Sequence, residues 1–316
     1  MPKVATVIPL YATPENERLE LFPYTLKSAL RQTHHDTVII VVDDGSTVDV
    51  VPVLSRYNDP RIRYIRRERQ ETDLVTASNA LNAGIDACLD KDPKVLTSKE
   101  AGDLAAITFL HSDDLLSPDS IAARLAYLRY GFVHSQIGTF DDQHRFYFWG
   151  NSDTADVASM LEQARSLSFF QHRLLNYHTM MWRYGFLHDV RNYVRRNYRQ
   201  EGVFDPRISY GEDLDVTLSS LEVARDGGNF VIYVPDVTVF YRCHQQSIRA
   251  QSSSDYILSQ FNLVAQKHFG INGSSLPVQT LVQKIFSDPP WSFLTFLPEG
   301  MKKRLRPAKS YIKTKF

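Results

Sequence analysis

The sequence predicts an α/β fold: a mainly parallel central sheet flanked by helices, a mixed second half, and a C-terminal helical and basic extension. Three observations carry this prediction. Short apolar runs at 4–10, 38–42, 61–65 and 104–110 alternate with helical spacing at 22–32, 48–57 and 74–89, which is the order of βαβ units. The first, second and fourth runs are apolar enough to be buried on both faces, as parallel strands are. Two of them then end in paired carboxylates, at the strand tips where open α/β sheets hold ligands.

The remaining elements follow in order. Residues 91–103 are polar, with Pro93 and Gly102, and read as a surface excursion. Beyond Pro118 the pattern turns mixed: helical at 121–130, strands at 132–137 and 145–149, helical again at 154–166, a strand at 177–182 and a helix at 212–225. Two strands, 230–234 and 237–243, are separated by Pro235 and Asp236. No internal repeat is evident.

Composition narrows the function classes. At 316 residues the chain can bury a large core, and 43% hydrophobic with 23% charged residues excludes disordered and fibrous classes. Lysine plus arginine balance aspartate plus glutamate at 36 each, so no global field favours nucleic acid as a partner. Two cysteines, Cys88 in a helical pattern and Cys243 in a strand pattern, define no disulfide framework and point to a reducing compartment. The start carries no signal-peptide pattern, and no apolar stretch approaches the roughly 20 residues of a membrane span. The expected localisation is cytoplasmic.

Three acidic strings carry the chemistry. In Phe109-Leu110-His111-Ser112-Asp113-Asp114, carboxylates at a strand tip suit a hard divalent ion that keeps some waters and grips a phosphate. The same string is also a turn and helix-capping sequence. In Val42-Asp43-Asp44-Gly45-Ser46-Thr47, glycine permits a sharp turn towards a helix capped by Ser46 or Thr47. Tyr210-Gly211-Glu212-Asp213-Leu214-Asp215 opens a helix, where acids also complement the macrodipole.

With Val7-Ile8-Pro9-Leu10-Tyr11, Leu26-Lys-Ser-Ala-Leu-Arg-Gln-Thr33, Ala77-Ser-Asn-Ala-Leu-Asn-Ala-Gly84 and Tyr241-Arg-Cys-His-Gln-Gln-Ser247, these strings in this order resemble a family 2 glycosyltransferase of the GT-A fold. The resemblance spans about residues 4–249. It implies a nucleotide-sugar-binding half at 1–116, an acceptor-binding and catalytic half at 117–250, and an extension at 251–316. Pro9, Tyr11, Asp43, Asp44, Asn79, His111, Ser112, Asp114 and Arg242 would contact the nucleotide sugar. Asp113 would hold a divalent cation, Mn2+ or Mg2+, with His244 as a further ligand. Arg242 and His244 alternate along one strand face, which is otherwise a solvent-exposed edge.

Two positions depart from the family pattern. Ser78 stands where an arginine commonly precedes Asn79, leaving Arg67 or Arg69 to supply charge. His111 replaces the first carboxylate of the metal turn and is read as a ribose contact or as packing at the strand end.

The implied reaction is inverting transfer from a UDP-sugar to a hydroxyl of a saccharide or lipid-linked acceptor. Asp213, paired with Glu212, would be the general base; Asp215 is the alternative, and His178 is placed to face the acceptor. A non-catalytic sugar-nucleotide-binding protein is the alternative reading. A nucleotidyltransferase is disfavoured because Tyr11-Ala-Thr-Pro-Glu-Asn16 is not a basic, glycine-rich phosphate loop. Trp291, Phe293 and Phe296 precede seven basic residues and no acid over 301–316. That tail suits either peripheral contact with an anionic membrane face or packing on the body.

Overall fold

The computed structural model describes residues 1–70, 76–129, 131–141, 146–149, 157–158, 160–161, 176–229, 231–244 and 252–270. Strands β1 (Lys3–Leu10), β2 (Thr37–Asp43), β3 (Ile62–Arg66) and β4 (Leu104–Phe109) form at the four apolar runs. They pair in parallel in the order β3-β2-β1-β4, so their carboxyl ends share one edge. The crossovers contain α1 (Arg18–Leu30), α2 (Val51–Ser55), and then α3 (Ser78–Leu89) with α4 (Ser98–Asp103).

Alternation along the central strands divides the core. Val7, Val38, Ile40 and Val42 pack with Ala80, Leu81 and Ile85 of α3. Ile8, Ile39 and Val41 pack on the other face with Phe22 and Leu26 of α1 and Val53 and Leu54 of α2. Helix α3 lies so close to the sheet that a Cβ on Gly84 would stand 2.4 Å from Val7 Cγ1. Gly84→Ala therefore destabilises the fold by about 1–3 kcal/mol through overpacking, despite alanine's better helix propensity; a lowered Tm in thermal unfolding checks this.

The second half continues the sheet as β5 (Leu115–Leu116), β6 (Phe132–Asp141), β7 (Phe146–Trp149), β8 (Met181–Arg183) and β9 (Val231–Cys243). The order beyond β4 is β8-β6-β9-β5, with β7 against β6; β8 and β5 run antiparallel to their neighbours. The helices are α5 (Ser120–Leu125), α6 (Tyr184–Tyr198), α7 (Glu212–Gly227) and α8 (Ser254–Phe269). No helix among the described residues is long and apolar enough to cross a membrane.

Several expectations require correction. Residues 177–182 are not one strand: Tyr177–Thr179 form a 3-10 turn closed by Met180 N–H on Tyr177 O at 3.0 Å, and pairing begins at Met181. The two strands around Pro235 and Asp236 are the single β9. Its register on β6 runs Ser135 with Val234 and then Gln136 with Val237, so proline, which lacks the N–H for the ladder, sits in a bulge.

The excursion at 91–103 contains α4, nucleated by a capping box between Thr97 and Glu100. Helix α1 begins at Arg18, before the predicted 22. Helices α2 and α5 are shorter than the predicted 48–57 and 121–130. Helix α6 is an addition, burying Phe186, Leu187, Val190 and Val194. Residues 71–75, most of 154–166 and the tail at 271–316 lie outside the described residues.

Candidate active site

The sheet brings the ends of β1, β2 and β4 together. Asp44 N–H donates to Leu10 O at 2.8 Å, joining the first two tips. The Asp44 carboxylate, nearly buried, receives the Arg67 guanidinium and has Arg69 Nη1 at 4.0 Å. Arg69 Cζ lies 4.6 Å from the centre of the Tyr11 ring. Gly45, at φ +75°, allows this approach: a Cβ there would meet Arg69 Cβ at 2.9 Å. Arg67 and Arg69 thus supply charge at this corner, while Ser78 turns inward to Thr76 at 2.9 Å.

Asp43 supports the corner from beneath. Its carboxylate accepts from Ser46 N–H at 2.8 Å and from Tyr64 Oη and Arg66 Nη1 at 2.7 Å each, and it is fully buried. Pro9 is buried in β1 opposite Val42. Asn79 is half-buried in the first turn of α3.

Beyond β4 the chain turns through His111, Ser112, Asp113 and Asp114, the last three buried. Asp113 Oδ2 receives both the Arg18 guanidinium and His244 Nε2, the latter at 2.9 Å. Burial alone raises the Asp113 carboxyl, but Arg18 and the His244 hydrogen bond reverse this and hold it below the ordinary range. Asp114 behaves oppositely: burial and the charge of Asp113 hold it well above its ordinary value. Asp114 Oδ1 accepts from Arg242 N–H at 2.9 Å, whereas Oδ2 has no hydrogen-bond partner among the described residues. Arg242 Nε also donates to Asp113 O at 3.2 Å.

Tyr177 connects this turn to α7. Its hydroxyl meets His111 Nε2, and its N–H donates to Asp213 Oδ1 at 2.8 Å. Burial lowers His111 to about 4, keeping the imidazole neutral. His178 follows, buried, with neither ring nitrogen hydrogen-bonded among the described residues. Its ring stands edge-on to His111 at 5.0 Å and stacks on Tyr241 at 6.1 Å.

Gly211, at φ +92°, turns the chain into α7, whose first residues are Glu212 and Asp213. Burial pushes Asp213 up to about 7, with the Tyr177 hydrogen bond acting against it. Burial and then Asp213 push Glu212 up to about 8. A carboxylate titrating near neutrality is suited to exchange a proton with substrate. Asp215 is instead held in ion pairs with Lys267 Nζ at 2.6 Å and His268 Nε2 at 2.8 Å.

These bonds tie α8 to α7. Lys267 also donates to Gln200 Oε1 at 2.6 Å, and His268 Nδ1 lies 3.3 Å from Glu222. Lys267→Met leaves Asp215 buried and undercompensated, at a cost of about 3–5 kcal/mol. Chemical denaturation of the variant tests that figure.

Sequence reasoning missed Arg18 and Tyr177. Arg18 carries no local signal beyond heading a helix. Tyr177 was concealed by the strand-like apolarity of 177–182.

The fold and the site define the class: curled, mostly parallel sheet, flanking helices and acids at the strand tips make this a GT-A fold. A family model described as Glycosyl transferase family 2 matches residues 7–191, and the chain belongs to that family. An uncharacterized glycosyltransferase of Rickettsia felis is 28% identical over 148 residues, covering 46% of this chain and 21% of that protein. Its counterpart in Rickettsia bellii is 26% identical over 148 residues, covering 46% and 18%. The match thus spans about a fifth of these curated relatives.

Among solved structures, S. aureus TarS 1-349 in complex with UDP superposes with a TM-score of 0.54 at 12% identity, covering 96% of this chain and 77% of that one. GalNAc-T7 with UDP, GalNAc and Mn2+ gives 0.52 at 15% identity, covering 84% and 48%. These two likenesses bear on the fold.

Proposed function

We propose that this chain is an inverting glycosyltransferase that moves a sugar from a nucleotide diphosphate sugar, a UDP-sugar, to a hydroxyl of a saccharide or lipid-linked acceptor. The observation that carries this reading is Tyr177, whose hydroxyl touches the His111 turn and whose N–H holds Asp213. One residue therefore ties the diphosphate end of the site to the base. Complexes of fold neighbours with UDP support the choice of donor.

The residues present fit a divalent ion, Mn2+ or Mg2+. Asp113 Oδ2 and His244 Nε2 meet at 2.9 Å, and the next residue, Asp114, keeps a buried oxygen with no hydrogen-bond partner among the described residues. Substrate phosphate and water would complete the coordination of a hard ion held there. Bound there, the ion supplies Lewis acidity to the departing phosphate.

The chain's own groups do the rest. Tyr11, Asp44 and Asn79 bind the nucleotide sugar with Pro9 and Ser112 shaping its wall. Asp43 keeps the Asp44 corner in place. Arg242 adds positive charge, and His111, kept neutral, accepts or donates a hydrogen bond at the ribose. Asp213 takes the acceptor's proton as its oxygen attacks the anomeric carbon from the face opposite the leaving group, which inverts configuration. Glu212 stands beside that base, its own proton affinity raised by burial and by the charge of Asp213.

Incubation with radiolabelled UDP-sugars and Mn2+ tests the proposal: release of UDP with transfer or hydrolysis supports it, and tight UDP binding without turnover favours a non-catalytic binding protein. The extension is proposed to lie on the anionic inner face of a membrane, each basic residue adding about 1 kcal/mol near the lipid. Deletion of 290–316 is expected to abolish flotation with anionic liposomes; equal flotation of both forms would refute it.

A further inference from the structure

The most site-defining carboxylate of the molecule already carries a cation from its own chain. Asp113 is nearly buried, and one oxygen, Oδ2, receives both the Arg18 guanidinium and the His244 imidazole. A buried carboxylate is costly unless paired, so this charge balance organises the turn. Arg18 comes from a separate element, as the first residue of α1.

The loop that delivers Arg18 is built for that placement. Asn16 Nδ2 donates to Tyr11 O at 2.8 Å, and its Oδ1 accepts from Thr13 N–H at 3.0 Å and Arg18 N–H at 3.2 Å. Glu17 takes φ +49°, a left-handed conformation that non-glycine residues enter only at a cost. The segment that ends in Arg18 thus begins at Tyr11. The Arg18 side chain remains about one-fifth exposed (21%), which leaves its long, flexible stem room to turn.

A divalent ion and a guanidinium cannot share one carboxylate oxygen without strong repulsion. Planar guanidinium groups also match phosphate oxygens well. Resting on the transferase reading above, we propose that Arg18 is the resident counter-ion of Asp113 in the free protein. It yields that carboxylate to the divalent ion and then contacts the donor's diphosphate. Arg18 is thereby a further donor-binding residue that makes metal and nucleotide binding interdependent.

Calorimetric titrations of the full chain with Mn2+ alone, and with UDP at saturating Mn2+, test this for wild type, Arg18→Gln, Arg18→Lys and Asp113→Asn. Arg18→Gln is expected to bind Mn2+ alone about tenfold more tightly and UDP with Mn2+ about tenfold more weakly, the scale of one charge-assisted hydrogen bond. Arg18→Lys should restore much of the wild-type competition. Unchanged or weaker Mn2+ binding by Arg18→Gln overturns the inference, including the case where the substitution only lowers Tm. Mn2+ binding that Asp113→Asn leaves intact overturns the cation site itself, and the Arg18 inference with it.

Discussion

Asp213→Asn lowers kcat by about 100- to 10,000-fold, the range expected when a positioned general base is removed. The amide is nearly isosteric, so its oxygen can keep the hydrogen bond from Tyr177 N–H seen at 2.8 Å. KM for the donor should therefore change little. In the wild type, kcat rises with pH and reaches half its plateau near 7, because the base acts only when ionised and burial holds Asp213 up to about 7.

Stability should move the other way. With Asp213 at about 7 and Glu212 at about 8 in the fold, the native state binds more protons than the unfolded chain between about pH 4 and 8. Stability therefore falls as pH rises through that window. Asp213→Asn removes part of that penalty and raises Tm at pH 8. A variant that is inactive and also destabilised at pH 8 would point to a structural role instead. Wild-type turnover by Asp213→Asn would end the assignment.

Asp113→Asn lowers turnover by about 100- to 1,000-fold, the usual loss when one element stabilising developing negative charge is deleted. Its signature differs from that of the base. Dependence on added Mn2+ should shift to higher concentration, and UDP binding should weaken, because the substituted side chain no longer offers a charge to the ion or to Arg18 and His244. Tm should fall modestly, since Arg18 and His244 then lose the carboxylate they share. Metal titration against activity and against nucleotide binding separates this from simple misfolding.

The parallel half was legible because β1, β2 and β4 are buried on both faces, and such strands read as unbroken apolar runs. Their acids were legible because charge rarely follows such a run without a use. The 3-10 turn at Tyr177 was hidden because Tyr-His-Thr-Met-Met-Trp is as apolar as a strand, and hydrophobicity reports burial before geometry. The bulge at Pro235 and Asp236 looked like a break, since proline interrupts pairing locally and only the partner strand shows that pairing resumes.

Convergence of residues far apart in the chain was the least legible. Arg18 and Asp113 are distant in sequence, and no spacing rule links a helix's first residue to a later strand tip. Asp215 offers a contrast: it shares a motif with Asp213, yet its carboxylate serves Lys267 and His268. Motif spacing places residues on one helix turn, while the neighbouring helix decides which of them it takes into ion pairs.

The ion pairs of α8 carry an implication for where this molecule can be cut. Lys267 and His268 are the partners that the inner acids of α7 face, so a chain ending at residue 250 would leave Asp215 and Glu222 without their pairing and their cover. Helix α8 thus belongs with α7 in one folding unit, and mutations far along the sequence reach the first turns of α7 through these ion pairs.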